Sequence, residues 1–314
     1  MPDAPPAEVV ALAQERAGRR MAKDFAAADG LRARIEELGW TVLDAADGGF
    51  VLEAATAVGK PARPRADAHE IVSVLADPAA ADASVHWLVE EWPQDVIRGI
   101  ESFRRYEAGL RVQHVVVDVV GTDPTLWPDG VEVLELAGDA GWAAARNAGL
   151  HRSVGEIVLV VDGSVEIMGG ILEPIRQTLR DPNVGVCGPF GIVTDDLREF
   201  RDDAGPDVDA IEGYLLAIRR PVLLEVGLFD EKFRFYRTCD IEFSFRVKDS
   251  GRRAVVVPVP VRRHEHRAWI TTPSERRDQL SKRNYYRFLD RFRGRFDLTV
   301  AGDPKRRDRR GGPP

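Results

Sequence analysis

The sequence has few of the features that define several classes of protein. Its 314 residues include only two cysteines, Cys187 and Cys239, too few for a disulfide framework or a structural zinc site. No uninterrupted apolar stretch approaches the roughly 20 residues of a membrane-spanning helix. The start, Met1-Pro2-Asp3, lacks the basic and then apolar layout of a secretory signal. With 44% apolar and 30% charged residues, the composition predicts a soluble, cytoplasmic protein, and most simply an enzyme.

Charge is distributed unevenly along the chain. The net charge of −7 divides into +9 between Arg262 and Arg310 and −16 over all other residues. A basic C-terminal end on an acidic body predicts contact with phosphates or with an anionic membrane surface, and a solvated helix face is the alternative. We therefore expect a cytoplasmic location that could include peripheral contact with the inner membrane face.

The first 53 residues have a pattern of their own. Apolar residues recur at near-helical spacing from Glu8 to Leu38 and predict helices. Two short apolar runs around Asp47-Gly48-Gly49 predict a β-hairpin. Residues 54–68 contain Gly59, Pro61 and Pro64 and are typical of a linker.

Residues 69–270 alternate strand-like and helix-like segments, which predicts an α/β fold with a mostly parallel, Rossmann-like sheet and helices on both faces. Val115–Val120 and Ile157–Val161 are apolar runs typical of strands buried on both faces. The first strand is either Ile71–Leu75 or Val85–Val89. Pro258 and Pro260 put the last strand, Ala254–Val259, at an edge or at its own end. The other predicted elements are helices at Pro93–Tyr106, Trp142–Leu150, Ile171–Leu179 and Pro221–Val226 and a strand at Val184–Cys187.

A C-terminal amphipathic helix is predicted within residues 271–300, followed by a basic tail at 301–314. Thr272 is the expected N-cap, with Pro273 at the first helical position and the helix spanning Ser274–Arg295. Its apolar side chains should pack on the α/β domain or on a second subunit; they are Tyr285, Phe288, Leu289 and Phe292. Another face carries Arg276, Arg283, Arg287 and Arg291.

Two acids, Asp118 and Asp162, lie at or near the ends of buried strands. Ligands of open parallel sheets bind outside the carboxyl ends of the strands. Either carboxylate could therefore accept hydrogen bonds from a base or ribose, or hold a divalent cation against a phosphate. The alternative for each is an acid that caps the following turn.

Three other segments carry candidate chemistry. Gly141–Gly149 is rich in small residues and contains Arg146, a natural partner for a diphosphate or a carboxylate. Asp240 lies near the start of a predicted helix, where the dipole keeps it ionised and able to deprotonate a hydroxyl; the alternative is a structural charge cluster with Arg246. His264 and His266 share one face of an extended segment and could bind one metal ion or lie solvated.

Taken in order from about Ile71 to His266, these motifs resemble those of family 2 glycosyltransferases of the GT-A fold. Five motifs carry the resemblance. The first three are a valine-rich strand ending in Asp at 116–123, an Ala-Arg-Asn-x-Gly loop at 145–149 and an Asp-x-Asp motif at 162–164. The fourth consists of Gly213 and Arg219-Arg220 followed by Gly-x-Phe-Asp-Glu-x-Phe at 227–233, and the fifth is a Glu-Asp-x-Asp motif at 239–242. Three motif positions differ: Ser164, Cys239 and Glu242 replace acids of the family pattern.

The resemblance implies an inverting transferase that moves a sugar from a nucleotide-diphosphate donor, with a UDP-sugar expected, to an acceptor hydroxyl. Asp240 would be the catalytic base. The implied contacts of the nucleotide sugar are Asp118, Arg146, Asn147, Asp162 and Gly213. The resemblance implies Asp162 as a ligand of a divalent ion, Mn²⁺ or Mg²⁺, with Glu166 a possible substitute for the acid that Ser164 replaces. From their own spacing, His264 and His266 are the residues predicted to complete this metal site. The acceptor stays open between a saccharide, a lipid-linked molecule and a small molecule.

Two other functions are compatible with the sequence. The altered metal motif favours a degenerate domain that binds a nucleotide sugar or RNA without turnover. A nucleotidyltransferase is a weaker alternative, because its usual Gly-rich, Lys-containing loop near the first strand is absent.

The N-terminal 53 residues resemble the C-terminal region of bacterial cysteinyl-tRNA synthetases. The matching positions are Arg16, Arg19, residues 22–29, Leu31-Arg32 and Leu38-Gly39-Trp40. Since the rest of the chain is strongly acidic, contact with RNA is not expected. We favour a docking appendage or one that forms a homodimer.

Overall fold

The computed structural model describes residues 5–22, 24–38, 40–44, 49–54 and 65–302. The chain divides into two compact units, Met1–Pro64 and Arg65–Pro314. The predicted turn at Asp47-Gly48, most of the predicted linker and the basic tail from residue 303 lie outside the described residues. Across the described ranges, no helix combines the length and apolar character needed to cross a bilayer.

The first unit contains two helices and a hairpin, as predicted. They are α1 (Ala7–Met21), α2 (Phe25–Glu37), β1 (Trp40–Asp44) and β2 (Phe50–Ala54). The two strands pair antiparallel, with Trp40 opposite Ala54. A small apolar core joins the helices to β1; its buried members are Val9, Ala13, Ile35, Trp40 and Val42.

The second unit contains the remaining strands and helices of the described chain. The strands are β3 (Ala81–Val89), β4 (Val112–Asp118), β5 (Glu132–Glu135), β6 (Gly155–Val161), β7 (Val165–Ile167), β8 (Val184–Gly188), β9 (Gly191–Val193), β10 (Arg201–Asp203), β11 (Asp207–Val208), β12 (Ala210–Ile211), β13 (Leu215–Arg219), β14 (Arg253–Val256) and β15 (Val261–Arg263). The helices are α3 (Pro93–Tyr106), α4 (Trp142–His151), α5 (Leu172–Leu179), α6 (Arg220–Val226), α7 (Cys239–Asp249), α8 (Arg267–Thr271) and α9 (Ser274–Phe292).

Eight of these strands form the central sheet, in the order β11-β14-β8-β13-β6-β3-β4-β5. Neighbouring strands are parallel from β6 through β3 and β4 to β5, and β14 is parallel to β8. β13 is antiparallel to both β6 and β8, and β11 is antiparallel to β14. Six strands therefore share one direction, which confirms the prediction of a mostly parallel sheet.

The apolar strand runs are buried on both faces because side chains alternate along a strand. In β6, Val158 and Val160 pack in the core formed with α4, α6 and α7. Leu159 and Val161 point to the opposite face, where α3 and α5 complete a second core. Helices on both faces of the sheet confirm the predicted GT-A type of layering.

The structure also decides between alternatives that the sequence left open and adds strands that were not predicted. The first strand of the sheet is Ala81–Val89, and Ile71–Leu75 is not a strand. The last predicted strand ends at Val256, before Pro258, because proline cannot donate to the ladder. The strands that were not predicted have between two and five residues, too few for a clear period.

The C-terminal helix α9 begins and ends differently from the prediction. Its N-cap is Pro273, and the hydroxyl of Thr272 instead donates to the carbonyl of Ala268 at 2.6 Å, because α8 ends at the preceding residue. The helix stops at Phe292, just before Gly294, whose φ of +78° favours glycine.

Packing of α9 on the α/β domain is confirmed. Phe288 and Phe292 are buried against Phe245 of α7, with ring centroids 5.0 and 5.4 Å from that of Phe245.

The arginines on the other side of α9 do not all face solvent. Arg287 donates to the carbonyl of Lys232, and Arg291 lies 3.1 Å from Glu242. Arg276 and Arg283 are exposed.

Candidate active site

A cavity of about 1020 Å³ opens beside the carboxyl end of β6. Its walls come from the turn after β6, the segment before β13, the start of α7, and the region from β15 to α9. The predicted site residues that line it are Asp162, Gly213, Asp240, His264 and His266. Asp118, Arg146 and Asn147 are not among its lining residues.

Asp162 begins the turn after β6. Its Oδ1 accepts hydrogen bonds from the backbone N–H and the hydroxyl of Ser164, at 2.9 and 2.5 Å, and its Oδ2 lies 3.5 Å from Nε2 of His266. Burial raises the pKa of Asp162, but His266 and Ser164 outweigh burial and lower it to about 2. The carboxylate is therefore charged at neutral pH, and Ser164 orients it.

His266 caps the short helix α8. The backbone N–H of Trp269 donates to its Nδ1 at 3.2 Å, which leaves Nε2 facing Asp162. Burial lowers the pKa of His266, but the neighbouring Asp162 carboxylate more than compensates, and the pKa is raised above its usual value. The ring stacks on Tyr236, with centroids 4.6 Å apart.

His264 is directed to another partner. Its Nε2 lies 2.8 Å from Oε2 of Glu166, across the antiparallel pair of β15 and β7. In the part of the chain that is described, no three His, Cys, Asp or Glu side chains are grouped to hold a metal ion. The three predicted ligands therefore do not form one group. His266 lies beside Asp162, whereas His264 is bound to Glu166.

Asp240 lies in the first turn of α7. Its Oδ2 accepts the backbone N–H of Gly213 at 2.8 Å, and its Oδ1 accepts the backbone N–H of Ile241 at 2.9 Å. Burial raises the pKa of Asp240, and these N–H donors lower it only in part, so the pKa lies above its usual value. A carboxylate of this kind is a better proton acceptor than a free aspartate. Thr238, just before α7, has a left-handed φ of +72°.

Two adjacent residues hold both acids. Gly213 binds the Asp240 carboxylate, and the carbonyl of Tyr214 accepts the backbone N–H of Asp162 at 2.9 Å. β13 then pairs antiparallel with β6, with Leu215 opposite Val161. The insertion of β13 into the sheet therefore brings the two predicted motifs to one cavity.

Asp118 is fully buried at the end of β4. Its Oδ1 accepts the backbone N–H groups of Val120 and Gly121, and its Oδ2 accepts that of Thr122, at 2.7 to 2.9 Å. In this structure the carboxylate organises the loop that follows β4, which is the turn-capping alternative that the sequence left open. A role in holding the donor base stays a prediction.

Arg146 and Asn147 anchor α4. Arg146 is buried and donates to the carbonyls of His86, within β3, and Val161, at the end of β6. Burial lowers the pKa of Arg146 to about 10, although the nearby Asp162 raises it in part. Asn147 exchanges hydrogen bonds with the backbone of Phe229, at 2.8 and 3.0 Å, and so fixes the Gly-x-Phe-Asp-Glu segment.

The altered acids of the Glu-Asp-x-Asp motif have structural contacts. Cys239 is buried, and its thiol donates to the carbonyl of Phe235. Glu242 is held by Nε of Arg246 at 2.9 Å and by Arg291. The ion pair with Arg246 that the sequence left open therefore involves Glu242, and Asp240 is left to face the cavity.

Sequence reasoning missed several residues of the cavity wall. Burial and the nearby Asp240 raise the pKa of Glu212 to about 7, while Arg263, 3.8 Å away, opposes this effect. Other residues that line the cavity are Tyr214, Tyr236, Arg237, Trp269 and Lys282. Glu212 and Tyr214 flank Gly213, which the sequence predicted as a nucleotide-sugar contact. The spacing of Glu212 and Tyr214 does not distinguish them from ordinary surface residues.

Comparisons with known proteins agree with this fold. Residues 116–238 match the family described as Glycosyl transferase family 2. The pre-mycofactocin glycosyltransferase of Mycobacterium tuberculosis (strain ATCC 25618 / H37Rv) is 25% identical over 202 residues, which cover 57% of this chain and 41% of that protein. The crystal structure of GalNAc-T7 with UDP, GalNAc and Mn²⁺ has a TM-score of 0.53 at 17% identity and covers 67% of this chain and 48% of that chain.

The N-terminal resemblance also has a counterpart. The cysteine–tRNA ligase of Opitutus terrae is 56% identical over 43 residues, which cover 14% of this chain and 9% of that protein. The chain thus spans less than half the length of each of these curated relatives. The second unit therefore has a fold of the GT-A type, and the family match lies within it, from β4 to the residue before α7.

Proposed function

We propose that this chain transfers a sugar from a nucleotide-diphosphate donor, with UDP as the expected nucleotide, to an acceptor hydroxyl with inversion at the anomeric carbon. The observation that carries the proposal is the placement of Asp162 and Asp240 in one cavity, held by Tyr214 and Gly213. In this proposal Asp162 acts at the donor diphosphate and Asp240 deprotonates the acceptor.

Asp240 would be the general base. As the acceptor oxygen forms its bond to the anomeric carbon, the bond from that carbon to the diphosphate oxygen breaks, and the acceptor proton moves to Asp240. Attack from the side opposite the leaving group inverts the configuration. Gly213 and Ile241 each donate one N–H to the carboxylate, which fixes its direction without neutralising it.

Asp162 would face the diphosphate. Its charged Oδ2 and Nε2 of His266 are 3.5 Å apart, and both atoms would hold a Mn²⁺ or Mg²⁺ ion if the imidazole proton moved from Nε2 to Nδ1, in place of the hydrogen bond from Trp269. A bound divalent ion would neutralise the leaving diphosphate. GalNAc-T7, whose fold is similar, was crystallised with UDP and Mn²⁺. Without an ion, His266 can donate a hydrogen bond toward the phosphates or to Asp162.

A catalytically degenerate domain that binds nucleotide sugar without turnover is the second candidate. Ser164 in place of an acid favours it, as does the lack of a three-ligand metal group among the described residues. The two candidates share donor binding and differ in cleavage of the donor.

Calorimetric titration with UDP, with and without Mn²⁺, followed by a hydrolysis screen over UDP-sugars and GDP-sugars, separates the candidates. We expect UDP binding in the presence of Mn²⁺ that Asp162→Asn weakens, and hydrolysis of at least one donor. Binding without hydrolysis or transfer for any donor would favour the degenerate domain, and no nucleotide binding would contradict both.

A further inference from the structure

A second cavity of about 760 Å³ lies between the turn at residues 196–198 and the C-terminal half of α9. Arg198 and Tyr285 line both this cavity and the candidate active site. A molecule whose hydroxyl lies at Asp240 could therefore extend past these two side chains. We call the second cavity the distal groove.

The distal groove is mainly apolar. Leu197 and Leu289 contribute to its wall, and Tyr286 and Phe296 line it with 49% and 45% of their surface exposed. Large apolar side chains that are exposed together usually mark a binding surface. Because the groove adjoins the active site and shares Arg198 and Tyr285 with it, the acceptor is the occupant that the geometry favours.

Two guanidinium groups accompany these apolar side chains. Arg198 and Arg293 are exposed; Arg198 is attracted to the nearby Asp196, but among the described residues no carboxylate oxygen lies within 4.0 Å of either guanidinium. Asp196, the acid of the groove, accepts the backbone N–H groups of Arg198 and Glu199 in its own turn, at 2.7 and 2.9 Å. An anionic group beside the apolar wall would find charge-assisted donors there.

We propose that the distal groove binds the part of the acceptor beyond its reacting hydroxyl, and that this part is an apolar chain joined through an anionic group. The inference rests on the proposed transfer reaction and adds the class of acceptor. A phosphate and a carboxylate share the required chemistry. Arg198 and Arg293 would bind the anion, while Tyr286, Leu289 and Phe296 would contact the chain.

Calorimetric titration of the full chain with octyl phosphate, below its micelle concentration, tests the proposal. Octanoate tests a carboxylate in place of the phosphate. Octyl glucoside lacks the charge, and inorganic phosphate lacks the apolar chain. We expect octyl phosphate or octanoate to bind more tightly than octyl glucoside and inorganic phosphate. Affinity should rise about fourfold for each added methylene, as for burial of a CH₂ group.

Arg198→Gln and Arg293→Gln should each lower the affinity for the anionic probe about ten- to hundredfold, as for loss of a hydrogen bond to a charged group. Arg283→Gln, on an exposed position of the same helix, is the matched control and should change nothing. Tyr286→Ser should reduce the gain in affinity that each added methylene of the probe produces.

Equal binding of octyl glucoside and octyl phosphate, or unchanged affinity in both arginine variants, would overturn the inference. UDP and GDP are titrated into each variant in parallel. Normal UDP binding without binding of the anionic probes rejects the acceptor class alone. Anionic-probe binding with no binding of UDP or GDP supports the groove and rejects the transfer reaction.

Discussion

The backbone N–H of Gly213 donates to Oδ2 of Asp240 at 2.8 Å. The next residue, Tyr214, accepts the N–H of Asp162 through its carbonyl. A two-residue segment before β13 therefore sets the distance between the acid that would bind the donor phosphates and the acid that would accept the proton. A shift of this segment would displace both carboxylates together.

The pH dependence of the reaction should follow Asp240. A base acts only when ionised, so kcat/KM should rise with pH through the pKa of Asp240, which burial raises above the ordinary value of 3.8. Donor hydrolysis measured in buffers of constant ionic strength gives this profile. Full activity at a pH below the ordinary aspartate pKa, or an unchanged acid limb in residual Asp240→Asn activity, would exclude Asp240 as the base.

The two histidines should differ in their effect on metal binding. His266 faces Asp162, whereas Glu166 holds His264. We therefore expect His266→Ala to weaken Mn²⁺ binding in the presence of UDP about 10–100-fold, the range for groups that bind or orient a metal ligand. His264→Ala is the matched control and should leave Mn²⁺ binding unchanged. Titration calorimetry with Mn²⁺ measures both, and the opposite ranking would restore His264 as the ligand.

Docking of α9 should contribute strongly to stability. Phe288 is fully buried against Phe245, so Phe288→Ala should lower the free energy of unfolding by about 3–5 kcal/mol. Arg283→Ala removes an exposed side chain of the same helix and should change it by no more than about 0.5 kcal/mol. Urea unfolding followed by circular dichroism compares the two, and equal stability would show that the helix is not docked in solution.

We expect membrane association that is weak and sensitive to salt. Arg287 and Arg291 contact the domain, so Arg276 and Arg283 are the exposed members of the predicted arginine face that have no such contact among the described residues. Each basic residue near anionic lipid contributes about 1 kcal/mol. We expect partial co-sedimentation with anionic liposomes at low salt, which Arg276→Gln/Arg283→Gln reduces. Absence from anionic and neutral pellets alike at low salt would leave the basic end as a solvated surface.

The sequence predicted the fold well because the signals were long and local. The apolar run at Ile157–Val161 and the one-sided helix at Pro93–Tyr106 each determine an element with little help from the rest of the chain. Short strands such as β11 and β12 depend on their neighbours in space and have no such signal. The N-cap of α9 differed because α8, an unpredicted helix, engages Thr272.

The candidate site was predictable only in part, since residue type does not say which partner a side chain meets. The sequence placed Asp118 and Asp162 alike after strands, yet backbone N–H groups surround Asp118 while Asp162 opens to a cavity. The same metal-binding role was predicted for His264 and His266, because they alternate along one extended segment. The pairing of β15 with β7 brings His264 to Glu166, whereas His266 meets Asp162. These differences arise from tertiary contacts.

The most direct test of the proposed function compares donor hydrolysis by the wild type and Asp240→Asn, with water as the acceptor. The substitution keeps the shape of the side chain but removes the base, so nucleotide release should fall about 10²–10⁴-fold, as for loss of general-base catalysis. Asp202→Asn, an exposed acid of the same cavity, is the control and should retain the wild-type rate. Near-normal release by Asp240→Asn, with UDP affinity intact, would contradict the assignment of Asp240 as the base.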